Sequence, residues 1–230
     1  KAYIQKPSED VRDFLYFGAQ MFYQIKFLDS TMAILNKIMA DYPNCAREYR
    51  AYAVVYLTIN PSRVPDFLQV AEQCPDSKIY QASIYTTKAL YDFFVDENPD
   101  ATLEDLAKLE EIGKLNIEMQ YFRFLILMKR EGMTVERLKK YLPTCKPKNE
   151  KEEWLIFSIR LNFLCFQKKW QEILDLLQTH SKFRITQEKT YLHYLLYAKY
   201  MQENSDPPSD EKVFFTKYGD ELIPSFIPYL

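Results

Sequence analysis

Apolar residues recur three and four positions apart along most of the chain, and the recurrence breaks at regular places. Phe14, Phe17, Gly18, Met21 and Phe22 fall on neighbouring faces of a helix that should end near Lys26. Pro7 and Ser8, ahead of an acidic first turn, suit its start. A second helix, from about Asp29 to Asp41, carries Met32, Leu35, Ile38 and Met39, and Pro43 stops it. From Cys45 a third begins, marked by Tyr49, Tyr52, Ala53 and Tyr56. Pro43 is therefore a joint between helices.

The joint recurs. Pro75 closes a helix that holds Phe67, Leu68 and Ala71, and Pro143 follows Val135, Leu138 and Leu142. Pro43 and Pro75 are 32 positions apart, and Pro75 and Pro143 are 68 apart, twice 34. Between the last two, Gly113 takes the terminator's place. Two helices per unit with a period in the low thirties mark a stacked array of helical hairpins. The pattern predicts an all-α chain of about six antiparallel hairpins, near 9–43, 44–75, 76–113, 114–143, 149–181 and 187–219. They would form one array over residues 1–230, with a flexible joint at 144–153 and an extended tail at 220–230. In the third unit, Asn98-Pro99 predicts a turn and Thr102 a cap for the helix that follows. In the tail, Pro224 and Pro228 exclude a stable helix while Leu222, Ile223, Phe226, Ile227, Tyr229 and Leu230 are apolar. Folding back over the last hairpin is the first expectation for it, and reaching into a partner the second.

Composition narrows the class. Glycine is 4 in 230, well below the usual ~7%, which disfavours β-rich folds and phosphate-cradling loops. Net charge is -2, from 30 basic and 32 acidic residues, so nothing draws the whole chain toward nucleic acid or an anionic membrane. No apolar run reaches the ~18 residues of a membrane span. Cys45, Cys74, Cys145 and Cys165 lack C-x-x-C spacing, and His180 and His193 lie far from three of them. They read as reduced thiols of a cytoplasmic chain, with the nucleus as the alternative compartment, rather than as zinc ligands. A chain that starts at Lys1 reads as a fragment.

Candidate chemistry has plainer explanations. Asp92–Asp100 is the nearest approach to a magnesium-binding aspartate motif, but Pro99 puts its end in a turn. No G-x-S-x-G, H-E-x-x-H or glycine-rich phosphate loop occurs. His180 sits where a helix C-terminus favours an imidazole, and Cys165 is flanked by aromatics that favour an inert buried thiol. Tyr191, Tyr194, Tyr197 and Tyr200 form a stripe that reads as a packing seam. No enzyme activity, metal or cofactor is expected.

The chain resembles the tetratricopeptide-repeat family. In its first unit Phe14, Gly18, Met21, Phe27, Ser30, Ile34 and Pro43 follow the family's pattern loosely. Tyr49, Ala53, Tyr56 and Pro75 do so in the second, Trp154, Ser158 and Leu161 in the fifth, and Tyr194, Ala198 and Met201 in the sixth. Units three and four lack a clean small-residue crossing. The resemblance implies a right-handed α-solenoid whose first helices line a concave groove, and a scaffold or adaptor subunit that binds a peptide or helix of another protein there. An RNA-binding helical-repeat protein is the alternative, which the interleaved charges disfavour. Partner-binding candidates are Phe22, Tyr23, Arg47, Arg50, Tyr80, Asn162, Phe226 and Tyr229. Arg47 and Arg50 occupy clamp-like positions, but Val54 stands where the family's peptide clamp has an asparagine, so the C-terminal peptides of cytosolic chaperones are not expected to bind.

Overall fold

A computed structural model describes residues 9–204. Among them are twelve α-helices, one short 3-10 turn and no strand. The chain divides into two compact units, one ending at Leu115 and one beginning at Asn116.

The first unit holds α1 (Glu9–Gln24), α2 (Leu28–Asp41), α3 (Ala46–Ile59), α4 (Val64–Gln73), α5 (Ser77–Phe94) and α6 (Pro99–Glu111). Each odd helix packs on the even helix after it, while α2 also touches α3, and α5 touches both α3 and α4. Small residues let α3 and α4 approach: Ala46, Ala53 and Ala71 are buried among Val64, Leu68 and Ile84. Tyr52 and Tyr56 meet Phe67 at ring centroids 5.4 and 4.7 Å away. Ala19, Leu35, Tyr52 and Val55 form a second cluster that ties α1 and α2 to α3.

The second unit holds α7 (Ile117–Met128), α8 (Val135–Lys139), α9 (Glu150–Phe166), α10 (Trp170–Thr179), α11 (Phe183–Thr186) and α12 (Glu188–Glu203). Helix α9 is its axis, packed on α7, α8 and α10. It buries Leu155, Ile156, Phe157, Ser158, Ile159, Leu161 and Phe163, residues on every side of the helix. A helix that is apolar all round belongs inside a bundle. Trp154, Phe157 and Phe183 stack in its core with centroids 5.0 to 5.6 Å apart.

The first five predicted intervals each contain two helices, and the sixth contains α12. The terminators work as expected at Gly113, where φ is +65°. Its amide donates to Glu110 O and that of Lys114 to Leu109 O, the paired bonds that close a helix through a left-handed residue. The same closure occurs without glycine at Lys26 and Lys168, whose φ values are 62° and 57°. Thr102 is not the cap of α6. Asn98 is, accepting from the Ala101 amide, with Pro99 in the first turn; Thr102 lies buried inside the helix and donates back to Asn98 O. Within the interval 144–153, Asn149 caps α9 and the Glu152 carboxylate accepts from the Lys148 amide. Residues 220–230, with Phe226, Tyr229 and the expected tail, lie outside the described residues, as do Pro7 and Ser8.

The first helix departs from the expected register. Phe14 is 76% exposed, and Met21 and Phe27 are largely exposed too. The side of α1 that meets α2 and α3 carries Arg12, Tyr16, Ala19 and Tyr23 instead. Ala19 is the small residue at that crossing, 2% exposed. Gly18 stands beside it, where an added Cβ would lie 3.9 Å from Ile34.

Candidate protein-docking site

Three residue pairs link α1, α3 and α5, the first helices of successive pairs. Arg12 on α1 grips Glu48 on α3 with two parallel hydrogen bonds, Nε to Oε1 at 3.0 Å and Nη2 to Oε2 at 2.8 Å. Arg47 on α3 donates to Asp13 on α1 at 2.6 Å and to its neighbour Glu48 at 3.0 Å. Arg50 on α3 donates to Thr87 on α5 at 3.1 Å. The partners are 36, 34 and 37 residues apart, so the first helices of consecutive pairs meet side by side.

Burial gives this seam its electrostatic character. The Glu48 side chain is fully buried between two guanidiniums, a charge that would be very costly without them. Its hydrogen bonds raise the Arg12 pKa above the ordinary arginine value despite burial. Burial opposes the charge on Arg47, yet its bonds to Asp13 and Glu48 leave its pKa raised. The Arg47 guanidinium lies over the Tyr16 ring at 4.3 Å, and that of Arg12 over Tyr42 at 5.3 Å. Tyr23 completes the seam: burial raises its pKa, while a hydrogen bond to Thr58 and the charge of Arg50 act the other way.

Of the candidates named from sequence, Tyr23, Arg47 and Arg50 thus fall on this one seam. Phe22 lies on the flank of α1, edge-on to Phe27 at 6.5 Å. Tyr80 is half-buried against the α3–α4 core. Asn162 belongs to the second unit, where it donates to Ser158 O and bonds Tyr121 and Tyr194, both with pKa raised by burial. Glu48, Asp13 and Tyr16 were not singled out from sequence, and the 34- to 37-residue offset was the one signal able to find them.

The other conspicuous groups pack. Tyr191 is buried with its hydroxyl donating to Leu177 O at 2.8 Å, and Tyr197 meets Trp170 edge-on at 5.8 Å. Burial pushes the Cys165 thiol up to about 12 and also raises Cys45 and Cys74. His180 closes α10 and lies 4.8 Å from the Phe157 ring. Among the described residues, no three His, Cys, Asp or Glu side chains converge as metal ligands, and no helix is long and apolar enough to cross a membrane. Two shallow surface depressions, one beside Trp170 and Met201 and one beside Leu164 and Leu176, offer no enclosed cavity of their own. Compared with family models, with curated proteins and with solved structures, the chain matches none.

Proposed function

We propose that the chain is a non-catalytic protein-binding scaffold or adaptor subunit of the cytoplasm, built as a right-handed, tetratricopeptide-like α-solenoid. The observation that supports this reading most is the seam itself. Side-chain bonds between residues 34 to 37 apart are what a stack of similar hairpins produces, and stacked hairpins present their first helices as a continuous surface. The seam offers Tyr16, Gln20, Tyr23, Val54 and Thr58 to a partner peptide or helix. Two of its three arginines, Arg12 and Arg47, are matched by Glu48 and Asp13, and Arg50 is held by the Thr87 hydroxyl. Recognition there rests on aromatic and amide contacts, which favours protein over an RNA backbone that needs unmatched cations.

The test is capture of partners on the immobilised chain, followed by titration of a purified partner against the wild type and a Tyr23→Ala/Val54→Glu variant. A loss of affinity of about tenfold or more, the scale of one lost anchor, supports the reading. Equal binding by the variant, or tighter binding of single-stranded RNA with a steep salt dependence, overturns it.

A further inference from the structure

The outer face of α1 is apolar and exposed among the described residues. Phe14 is 76% exposed, Phe17 61%, Ile25 57%, Met21 47% and Val11 45%, and Phe27 beyond the helix end is 60% exposed. These residues lie opposite the side that meets α2 and α3, so α1 is apolar on both sides. A helix of that kind is ordinarily covered on both. We propose that this face joins two copies of the chain, α1 packing antiparallel on α1 of a second copy across a two-fold axis. The dimer is a contact separate from the α1–α3–α5 seam.

Area, pattern and charge all favour a second copy. Taking about 200 Å2 per side chain, these exposed fractions leave roughly 700 Å2 of apolar surface on each copy. A standard interface takes ~800 Å2 from each partner. The face is one 16-residue helix, about 24 Å long, with spacings of three and four between Val11, Phe14, Phe17, Met21 and Ile25, as helix pairing needs. An antiparallel crossing near Phe17 and Gly18 lays Phe14 of one copy on Met21 of the other, a favourable ring–thioether contact. It also lays Val11 near Ile25 and seats Phe17 over the side-chain-free Gly18. A parallel crossing would stack Phe14 on Phe14 with the helix dipoles aligned. The flank beside Phe17 carries Gln20, Gln24 and Asp13, and the Asp13 charge is paired with Arg47. Closed two-fold pairing then uses the face up completely, with no open edge for further growth.

Sedimentation equilibrium of the full chain between about 1 and about 100 µM spans the affinities such an interface gives. A monomer–dimer equilibrium is expected in the wild type. Phe14→Glu/Met21→Glu should be monomeric throughout, with an unchanged circular dichroism spectrum, because both side chains are already exposed. In a Cys145→Ser background, a mixture of Phe14→Cys and Met21→Cys chains should oxidise to a disulfide-linked pair, and Phe14→Cys alone should not. A monomeric wild type overturns the proposal, as does a dimer that survives the double substitution. A monomer that dimerises once residues 223–230 are deleted shows that the chain's own tail covers the face, and overturns it equally.

Discussion

The two units hold themselves together by different physics. Up to Leu115, the buried polar residues include Glu48, Thr87, Thr102 and Asp105, and the helices are joined by ion pairs and hydroxyl bonds. After it, ring contacts are prominent in an aliphatic core: Trp154 on Phe157 and Phe183, Phe124 on Phe163, Trp170 on Tyr197. The sharpest contrast is between α1 and α9. Both carry apolar residues on more than one side, yet α9 buries seven residues and α1 leaves Phe14 and Phe17 largely in solvent. The difference lies in neighbours, since α9 has three helices around it. A helix with two apolar sides is thus a demand for partners, and the described residues supply them fully only to α9.

That contrast can be broken by measurement, because both tryptophans of the chain lie in the second unit's core. Tryptophan fluorescence reports that unit, and circular dichroism reports both. Phe157→Ala should cost about 4 kcal/mol, the range for an aromatic removed from a packed core, and should move the fluorescence transition in urea. Glu48→Ala should cost about 3 kcal/mol, because it leaves Arg12 and Arg47 desolvated without their anion. Its loss should appear in circular dichroism at low urea while fluorescence stays native. Equal displacement of both signals by either variant would show that the units do not melt separately.

Smaller effects test details. Lys168→Gly should stabilise by about 0.5–1 kcal/mol, since glycine adopts the left-handed closure of α9 without the penalty a β-carbon carries. An unchanged or lower fluorescence midpoint would refute that. Least in size is a pH effect in the first unit. Burial and the adjacent Asp105 raise the Asp92 pKa from 3.8 to about 6. A raised carboxyl pKa stabilises the fold while the group is protonated, fully below pH 3.8, and the contribution is lost as pH rises through 6. Relative to Asp92→Asn, the wild type should gain about 2 °C of melting temperature between pH 7.5 and 5.5, a solvent-screened effect of under 1 kcal/mol in a chain of this size. No difference between the two would remove Asp92 from the account.

The helices were legible because their ends are local chemistry. Pro43, Pro75 and Gly113 stop chains of helical hydrogen bonds wherever they occur. Asn98-Pro99 was legible as a turn but not as a cap, and Thr102 placed the cap four residues too far along. The closures at Lys26 and Lys168 carry no side-chain signature, and only the scarcity of glycine hints that other residues must take its place. The site was half legible. Tyr23, Arg47 and Arg50 stand out by type and repeat position. Glu48 does not, because a buried carboxylate looks like any other glutamate until Arg12, 36 residues earlier, comes to meet it. The face of α1 was hidden for the opposite reason: periodicity shows that Phe14 and Met21 share a face, but not whether anything covers it.

Most packing in each unit joins helices that are adjacent or nearly adjacent in sequence, and this bears on how the chain is made. Such local contacts favour fast folding. Hairpins can form in order as the polypeptide leaves the ribosome, and the first unit has all its parts at Leu115, before the second exists. Of the described helices the first to emerge is α1, whose inner side finds α2 within a few residues but whose Phe14, Phe17 and Ile25 stay exposed among the described residues. While that face is uncovered the nascent chain exposes a sticky strip, so chaperone engagement and misassociation during synthesis should concentrate on the segment from Val11 to Phe27.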